Sequence, residues 1–240
     1  MFSAYIEEAR TILAEESTRR CCTAFRGSLE GAVWPHAKDQ IIFADETGCD
    51  FGSAGSASIS LLLLTERPDL VQDAAISLIG PDIPACRGRE MAFGKVVMVQ
   101  GRGFTEDNLF RRYQEMSLQR FDLDLDGCVS RGLPRQNREW IRVADDTLRH
   151  GFSFETLGGE LYRHLRAIDY VDAVEIAFIT SSTADVEAFD SLSRRLGKAV
   201  QAMDKMVERL AYDCDECECR DVCNEVEGLR RMHEHVATRK

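Results

Sequence analysis

A chain of 240 residues that is 44% hydrophobic and 30% charged has the composition of an ordinary globular protein, and it is long enough to bury a sizeable core. A net charge of −11 excludes nucleic acid as the main partner, because phosphate binding needs a basic footprint. No apolar run approaches the ~20 residues that span a bilayer, and the opening MFSAYIEEARTIL carries acids where a secretory leader carries lysines, so the chain reads as cytoplasmic with no membrane segment.

Taken in order, Ser3 to about Arg26 predicts an amphipathic helix, with Ile6, Ala9, Ile12 and Leu13 at helical spacing. GAVWPHAKDQ ends it through Gly31 and Pro35. The runs IIFA, SISLLLL and AISLIG are short, apolar and bounded by Gly, Pro and Asp, which predicts three strands; GSAGSAS between the first two is a loop. GKVVMVQGRG predicts a further strand ending in a glycine turn. TEDNLFRRYQEMSLQRF predicts a helix with Thr105 as N-cap and Glu106 and Asp107 in its first turn. EWIRVAD is a strand, ADDTLRHG one or two helical turns closed by Gly151, and SFETLGGELYRHLRAI a helix capped by Ser153. VDAVEIAFIT alternates as a strand. A long helix follows from about Ala184 to Tyr212, with Val186, Phe189, Leu192, Leu196, Val200, Met203, Val207 and Leu210 on one stripe, and a last helix runs from about Arg220 to Ala237.

This order predicts an α+β fold: a mixed β-sheet covered by helices, with an N-terminal helix and a C-terminal helical hairpin carrying a cysteine cluster. The expected divisions are residues 1–38, 39–196 and 197–240. Two motifs do not hold up. DLDLDG starts like a calcium loop, but its twelfth position is Leu133 rather than an acid, so it reads as an acidic loop. GRGFTEDN has two glycines before a helix, yet Glu106 and Asp107 already occupy the helix start, so it reads as a plain strand–turn–helix joint.

The stretch YDCDECECRDVC places Cys214, Cys217, Cys219 and Cys223 within ten residues. Clustered thiols in a reducing compartment point to metal more than to disulfides, and an x2 spacing lets two thiolates converge on one ion. A [4Fe–4S] cluster is expected, with a four-cysteine zinc site and metal-free redox thiols as alternatives. Asp213, Asp215, Glu216, Glu218 and Asp221 crowd the motif and favour a cation over free thiolates. The other five cysteines, Cys21, Cys22, Cys49, Cys86 and Cys128, are expected to be small buried hydrophobes or inert thiols. From Cys86 to His150 there are twelve Arg and Lys against ten Asp and Glu, making this the segment least hostile to an anion.

From Asp45 to about Phe189 the segments DETGCDFGSAGSASISLLLL, AISLIGPDI, GKVVMVQGRGFTEDNLFRRYQEMSLQRF, REWIRVADDTLRHGFSFETLGGELYRHLR and VDAVEIAFITSSTADVEAF follow one another in an order that resembles the middle domain of the beta subunit of the carbon monoxide dehydrogenase/acetyl-CoA synthase complex. The shared features are an IGPD strand end, a tryptophan-containing W-x-R strand, a GF…LG helix and a strand before a helix that opens near AEVE. The resemblance implies an arginine-rich α+β domain whose strand tryptophan is associated with coenzyme A. The matching residues are Trp140 and Arg142, with Arg135 and Arg138 beside them; simple packing of Trp140 on the sheet is the plainer alternative. In the synthase, a further domain follows with a C-x2-C-x8-C-x9-C signature for a nickel–iron–sulfur cluster. Here only the first pair matches, so the chain is not expected to make acetyl-CoA alone.

The resulting expectation is an iron–sulfur accessory protein, leaning away from an enzyme, acting in electron transfer, redox sensing or assembly for anaerobic one-carbon metabolism. Its partners would be components of the carbon monoxide dehydrogenase/acetyl-CoA synthase complex or a ferredoxin, and apolar helix faces could support a homodimer. The alternative is a coenzyme A or acyl-CoA binding module with a structural zinc site.

Overall fold

In the computed structural model, residues 2–30, 34, 42–53, 58–123, 125–181, 185–207, 220–223, 225–226, 228–229 and 232 are described. Among them lie α1 (Ser3–Arg19), β1 (Cys22–Arg26), β2 (Thr47–Phe51), β3 (Ser58–Thr65), β4 (Ala75–Ile79), β5 (Glu90–Gly101), α2 (Leu109–Leu118), β6 (Cys128–Leu133), β7 (Arg138–Ala144), α3 (Asp145–Arg149), α4 (Phe154–Arg166), β8 (Val171–Ser181), α5 (Asp190–Val207) and α6 (Arg220–Cys223). The α+β class and the mixed sheet under helices are as expected.

The strands run in the order β1-β4-β8-β5-β2-β7-β6, with β3 also paired to β5. The twelve-residue β5 makes this branching possible. Antiparallel β8 follows one of its edges. On the other edge its first two residues pair with Asp50 and Phe51 of β2, and Phe93 to Gln100 pair in parallel with β3. The antiparallel ribbon β2–β7–β6 therefore diverges from the main sheet at β5. Its inner side approaches β3, where Ser60 N donates to Asn137 O at 2.8 Å.

Helices cover both faces of the main sheet. A Cβ on Gly158 of α4 would stand 2.9 Å from Ile76 and 3.0 Å from Phe178, so this glycine lets α4 settle onto β4 and β8. Arg10 of α1 donates to Glu175 at 2.5 Å. Positions 175 and 178 differ by an odd number in one strand and so point to opposite faces, which places α1 across the sheet from α4. The core between these layers includes Phe51, Phe93, Phe154 and Phe178, with Phe154 and Phe178 at 4.8 Å between ring centroids.

Several expectations need correction. The first helix ends at Arg19, and Cys22–Arg26 is an edge strand antiparallel to β4: Thr and Phe favour the pleated surface, and the ladder with Ala75–Ile79 outweighs continuation of the helix. IIFA forms no strand over its described residues. Ala44–Glu46 is a 3-10 turn, and the strand forms one step later at β2. The cap of α2 is Asn108 rather than Thr105, because Asn108 Oδ1 accepts from Thr105 N at 3.0 Å and closes a turn first. The helix after β8 opens with a 3-10 segment, Asp185–Phe189. Ser153 does cap α4, accepting from Thr156 N. Cys21 and Cys22 are exposed, whereas Cys49 and Cys86 are buried.

Candidate functional site

β7 organises the region that the sequence singles out. Its burial alternates strictly, with Glu139, Ile141 and Val143 inward and Arg138, Trp140, Arg142 and Ala144 outward. The two sides of this one strand do different things.

On the inner side, Glu139 is 2% exposed and meets two buried cations, Lys95 of β5 and Arg120 of the turn after α2, which are 4% and 7% exposed. Lys95 Nζ donates to both carboxylate oxygens, at 2.5 and 2.6 Å. Arg120 Nη1 reaches Oε2 at 3.3 Å and Ser60 Oγ at 3.1 Å. Ser60 and Ser130 donate to the remaining carboxylate positions at 2.9 and 3.2 Å. Two cations face one anion. Burial alone would raise the Glu139 carboxyl, but Lys95 and then Arg120 outweigh it and hold it below the ordinary carboxylate range. Burial pulls the Lys95 ammonium below its usual value despite the attraction of Glu139. Arg120 Nε has no partner, and its guanidinium lies 4.8 Å from the centre of the Phe121 ring. The cluster is closed to solvent, so what it can do is fix β7 against β3, β5 and β6. Sequence reasoning missed it; its one visible signal is a lysine inside the apolar run of β5.

On the outer side, antiparallel pairing places Arg131 of β6 opposite Trp140, Val129 opposite Arg142 and Leu133 opposite Arg138. Directly opposed residues share a face. This face therefore carries Arg131, Arg138 and Arg142 around a half-buried Trp140, with no acid among its six positions. Arg142 pairs with Asp50 of β2 at 3.0 Å, which orients the guanidinium. Arg135 lies in the exposed β6–β7 connection, Pro134–Gln136. The structure thus gathers Arg138, Trp140 and Arg142 on one surface with Arg135 at its end. It adds Arg131, which could have been found only by reading Cys128–Leu133 as a strand. Planar guanidinium forks beside an aromatic face suit phosphate and a stacked ring.

A separate open cleft of ≈ 550 Å³ lies at the other end of β7, lined by Trp34, Glu46, Asp126, Asp145, Arg149 and His150 among others. Carboxylates outnumber cations there, and Arg149 is engaged by Asp145 at 2.6 Å, so it is no place for an anion.

Of the expected metal ligands, Cys214, Cys217 and Cys219 lie outside the described residues, as does the side chain of Cys223. Among the described residues no group of three or more His, Cys, Asp or Glu is placed to hold a metal ion. Burial pushes the thiols of Cys49 and Cys128 up to about 12 and that of Cys86 up to about 11, which leaves them protonated and unreactive. The described residues that flank the motif are tied to the body. Lys198 of α5 pairs with Asp221 at 2.9 Å, and Val222, Val226 and Leu229 are buried. Tyr5 of α1 donates to Glu225 at 3.0 Å, and Arg195 of α5 donates to the same carboxylate at 2.9 Å.

These features define an α+β protein built on a branched mixed sheet, with an arginine–tryptophan face on the branch. Residues 35–185 match the model of the CO dehydrogenase/acetyl-CoA synthase complex beta subunit family, and the chain belongs to that family. No curated protein matches the chain. Among the described residues no helix is long and apolar enough to cross a membrane.

Proposed function

We propose that this chain is an accessory member of its family that binds coenzyme A or an acyl-CoA on the outer face of β6 and β7. The supporting observation is the sidedness of β7: the register that buries Glu139 presents Arg138, Trp140 and Arg142 together, with Arg131 opposite the indole. The arginines supply forks for the phosphates and Trp140 a platform for the adenine ring. Titration of coenzyme A against tryptophan fluorescence tests this. A Trp34→Phe background isolates Trp140, since the chain has two tryptophans. Saturable quenching that Arg131→Glu and Arg138→Glu weaken is the expected result, and flat fluorescence up to millimolar ligand overturns the reading.

A second proposal concerns the C-terminal motif. Cys214, Cys217, Cys219 and Cys223 hold a metal centre, a [4Fe–4S] cluster first and zinc as the alternative. The docking of α6 onto α5 supports this reading because it fixes the backbone that carries Cys223. A bound cluster would supply one-electron chemistry, and the chain would then work in electron transfer, redox sensing or assembly alongside components of the carbon monoxide dehydrogenase/acetyl-CoA synthase complex or a ferredoxin. Iron, sulfide and zinc analysis with a visible spectrum, on protein purified without oxygen, decides between the two metals. Metal-free protein removes the proposal.

A further inference from the structure

The cleft at the far end of β7 draws its acids from three separate stretches of chain. Glu46 comes from the 3-10 turn before β2, Asp126 from the loop that enters β6, and Asp145 and Asp146 from the first turn of α3. Four carboxylates thus face one guanidinium, that of Arg149. The neighbouring cations are spent on a single acid. Arg149 donates to Asp145 at 2.6 Å, and Arg87 pairs with the same carboxylate at 2.6 Å. Asp146 has only long approaches, Arg149 at 3.9 Å and His150 at 3.7 Å. Glu46 and Asp126 make no ion pair among the described residues. One oxygen of the half-buried Asp126, Oδ1, is shut off from solvent and has no hydrogen-bond donor. Folded proteins seldom leave a buried carboxylate oxygen in that condition. Here Asp126 belongs to the wall of a cleft of ≈ 550 Å³, the size of a small-molecule site. The wall is fixed by its own contacts. Trp34 Nε1 and Thr147 Oγ1 both donate to Asp126 O, at 3.1 and 3.2 Å, and the indole meets the Phe152 ring edge-on at 5.1 Å. Ile42 and Ala144 add apolar surface to it.

We propose that this cleft binds a linear polyamine, a chain of ammonium groups separated by methylenes. The ammonium groups pair with Glu46, Asp126 and Asp146, the carboxylates left over once Arg149 and Arg87 have taken Asp145. The methylenes lie along Trp34 and Ile42, where the indole adds a cation–π contact. Several charges on one flexible chain suit acids that stand on three different elements. A compact metal ion suits them less, since among the described residues no group of three or more His, Cys, Asp or Glu is placed to hold one. The cleft shares no residue with the Trp140 face, and its test uses no coenzyme A.

The probe is spermidine, titrated into the full chain at about 0.15 M salt, where interactions between distant surface charges are largely screened. Heat is measured on the native chain, and emission in a Trp140→Phe background, where Trp34 alone reports. Spermidine is expected to saturate at one equivalent, to change Trp34 emission and to slow amide exchange at residues 144–149. The shorter diamine putrescine is expected to bind about tenfold more weakly, and a neutral diol of spermidine's length not at all. Glu46→Gln and Asp126→Asn are each expected to weaken spermidine by about tenfold. Glu46 is exposed, so its variant keeps the fold whatever Asp126→Asn does, and exchange of the β5 and β8 amides verifies this. No saturation up to millimolar spermidine, unaltered affinity in Glu46→Gln, or slowed exchange elsewhere than residues 144–149 overturns the proposal. So does magnesium that competes at equal concentration, since the cleft then attracts any cation. A trilysine peptide that binds more tightly than spermidine also overturns it and assigns the cleft to a basic segment of another protein.

Discussion

Lys95 donates to both carboxylate oxygens of Glu139, at 2.5 and 2.6 Å, in a place where neither side chain reaches solvent. The pair joins the middle of β5 to the start of β7 and so fixes which side of β7 faces in. A one-residue slip would turn Trp140 inward and Glu139 out. The buried charges therefore specify which side chains form the outer face without belonging to it.

Replacing Glu139 leaves Lys95 and Arg120 buried with no anion between them. Glu139→Gln is expected to cost ~3–5 kcal/mol, the usual penalty for breaking a buried pair from one side. Lys95→Met is expected to cost clearly less, because Arg120, Ser60 and Ser130 still serve the carboxylate. Urea denaturation of both variants reads the asymmetry. A larger loss in Lys95→Met would mean that Arg120 is not the supporting partner its 3.3 Å contact suggests.

The same carboxylate sets an acid limb. Its folded-state value is depressed by Lys95 and Arg120. The unfolded chain then takes up the proton first, so the stabilisation is complete above the ordinary glutamate value of ~4.3 and is lost as pH falls through the folded value. Stability measured against pH should fall more steeply below about pH 4.3 in the native chain than in Glu139→Gln. Parallel curves would place the acid sensitivity in other carboxylates.

Gly80 of the IGPD motif has φ +115, and a Cβ there would stand 2.1 Å from Thr180 O. Both the backbone and the neighbour forbid a side chain, so Gly80→Ala should lose more than the ~1 kcal/mol of an ordinary glycine replacement. Asp82 of the same motif accepts from Ile83 N at 2.6 Å and from Phe154 N at 2.9 Å. Asp82→Ala should therefore cost about 1–2 kcal/mol through two lost caps. Thermal unfolding checks both.

The motifs that made the family legible in the sequence are folding motifs. Gly80 and Asp82 close β4 onto α4, and Gly158 lets that helix approach Phe178. Such positions are readable because backbone geometry restricts them to one residue type. Strands β3, β4 and β5 were readable because they are apolar runs, and β8 because VDAVEIAFIT alternates apolar and polar residues. β1, β2 and β6 were not, since each is five or six residues with little apolar pattern and is held by its ladder rather than by propensity. Missing β6 hid Arg131 from the tryptophan face. The Lys95–Glu139 pair was hidden for a different reason: forty-four residues separate its members, and only the branching at β5 brings them together.

Tyr5, Arg195 and Glu225 tie the first helix, α5 and the segment after the cysteine motif at one point. Arg195 also engages Glu8 and lies 5.0 Å from the centre of the Tyr5 ring. Burial, reinforced by Glu225, raises the Tyr5 hydroxyl, which keeps it a donor throughout the working range. Tyr5→Phe removes a single hydrogen bond, worth about 1 kcal/mol. Amide exchange at Val222, Val226 and Leu229 should then accelerate by up to about fivefold while β5 and β8 stay unchanged. If the cysteines hold a metal that binds the docked form alone, its removal by a chelator destabilises the same amides further, by the free energy of that binding. Combined with Tyr5→Phe, chelation should release the segment almost completely. Exchange at these three residues that chelation leaves unaltered would separate the cysteine motif from the docking of α6, and the metal would then have to act on the motif alone.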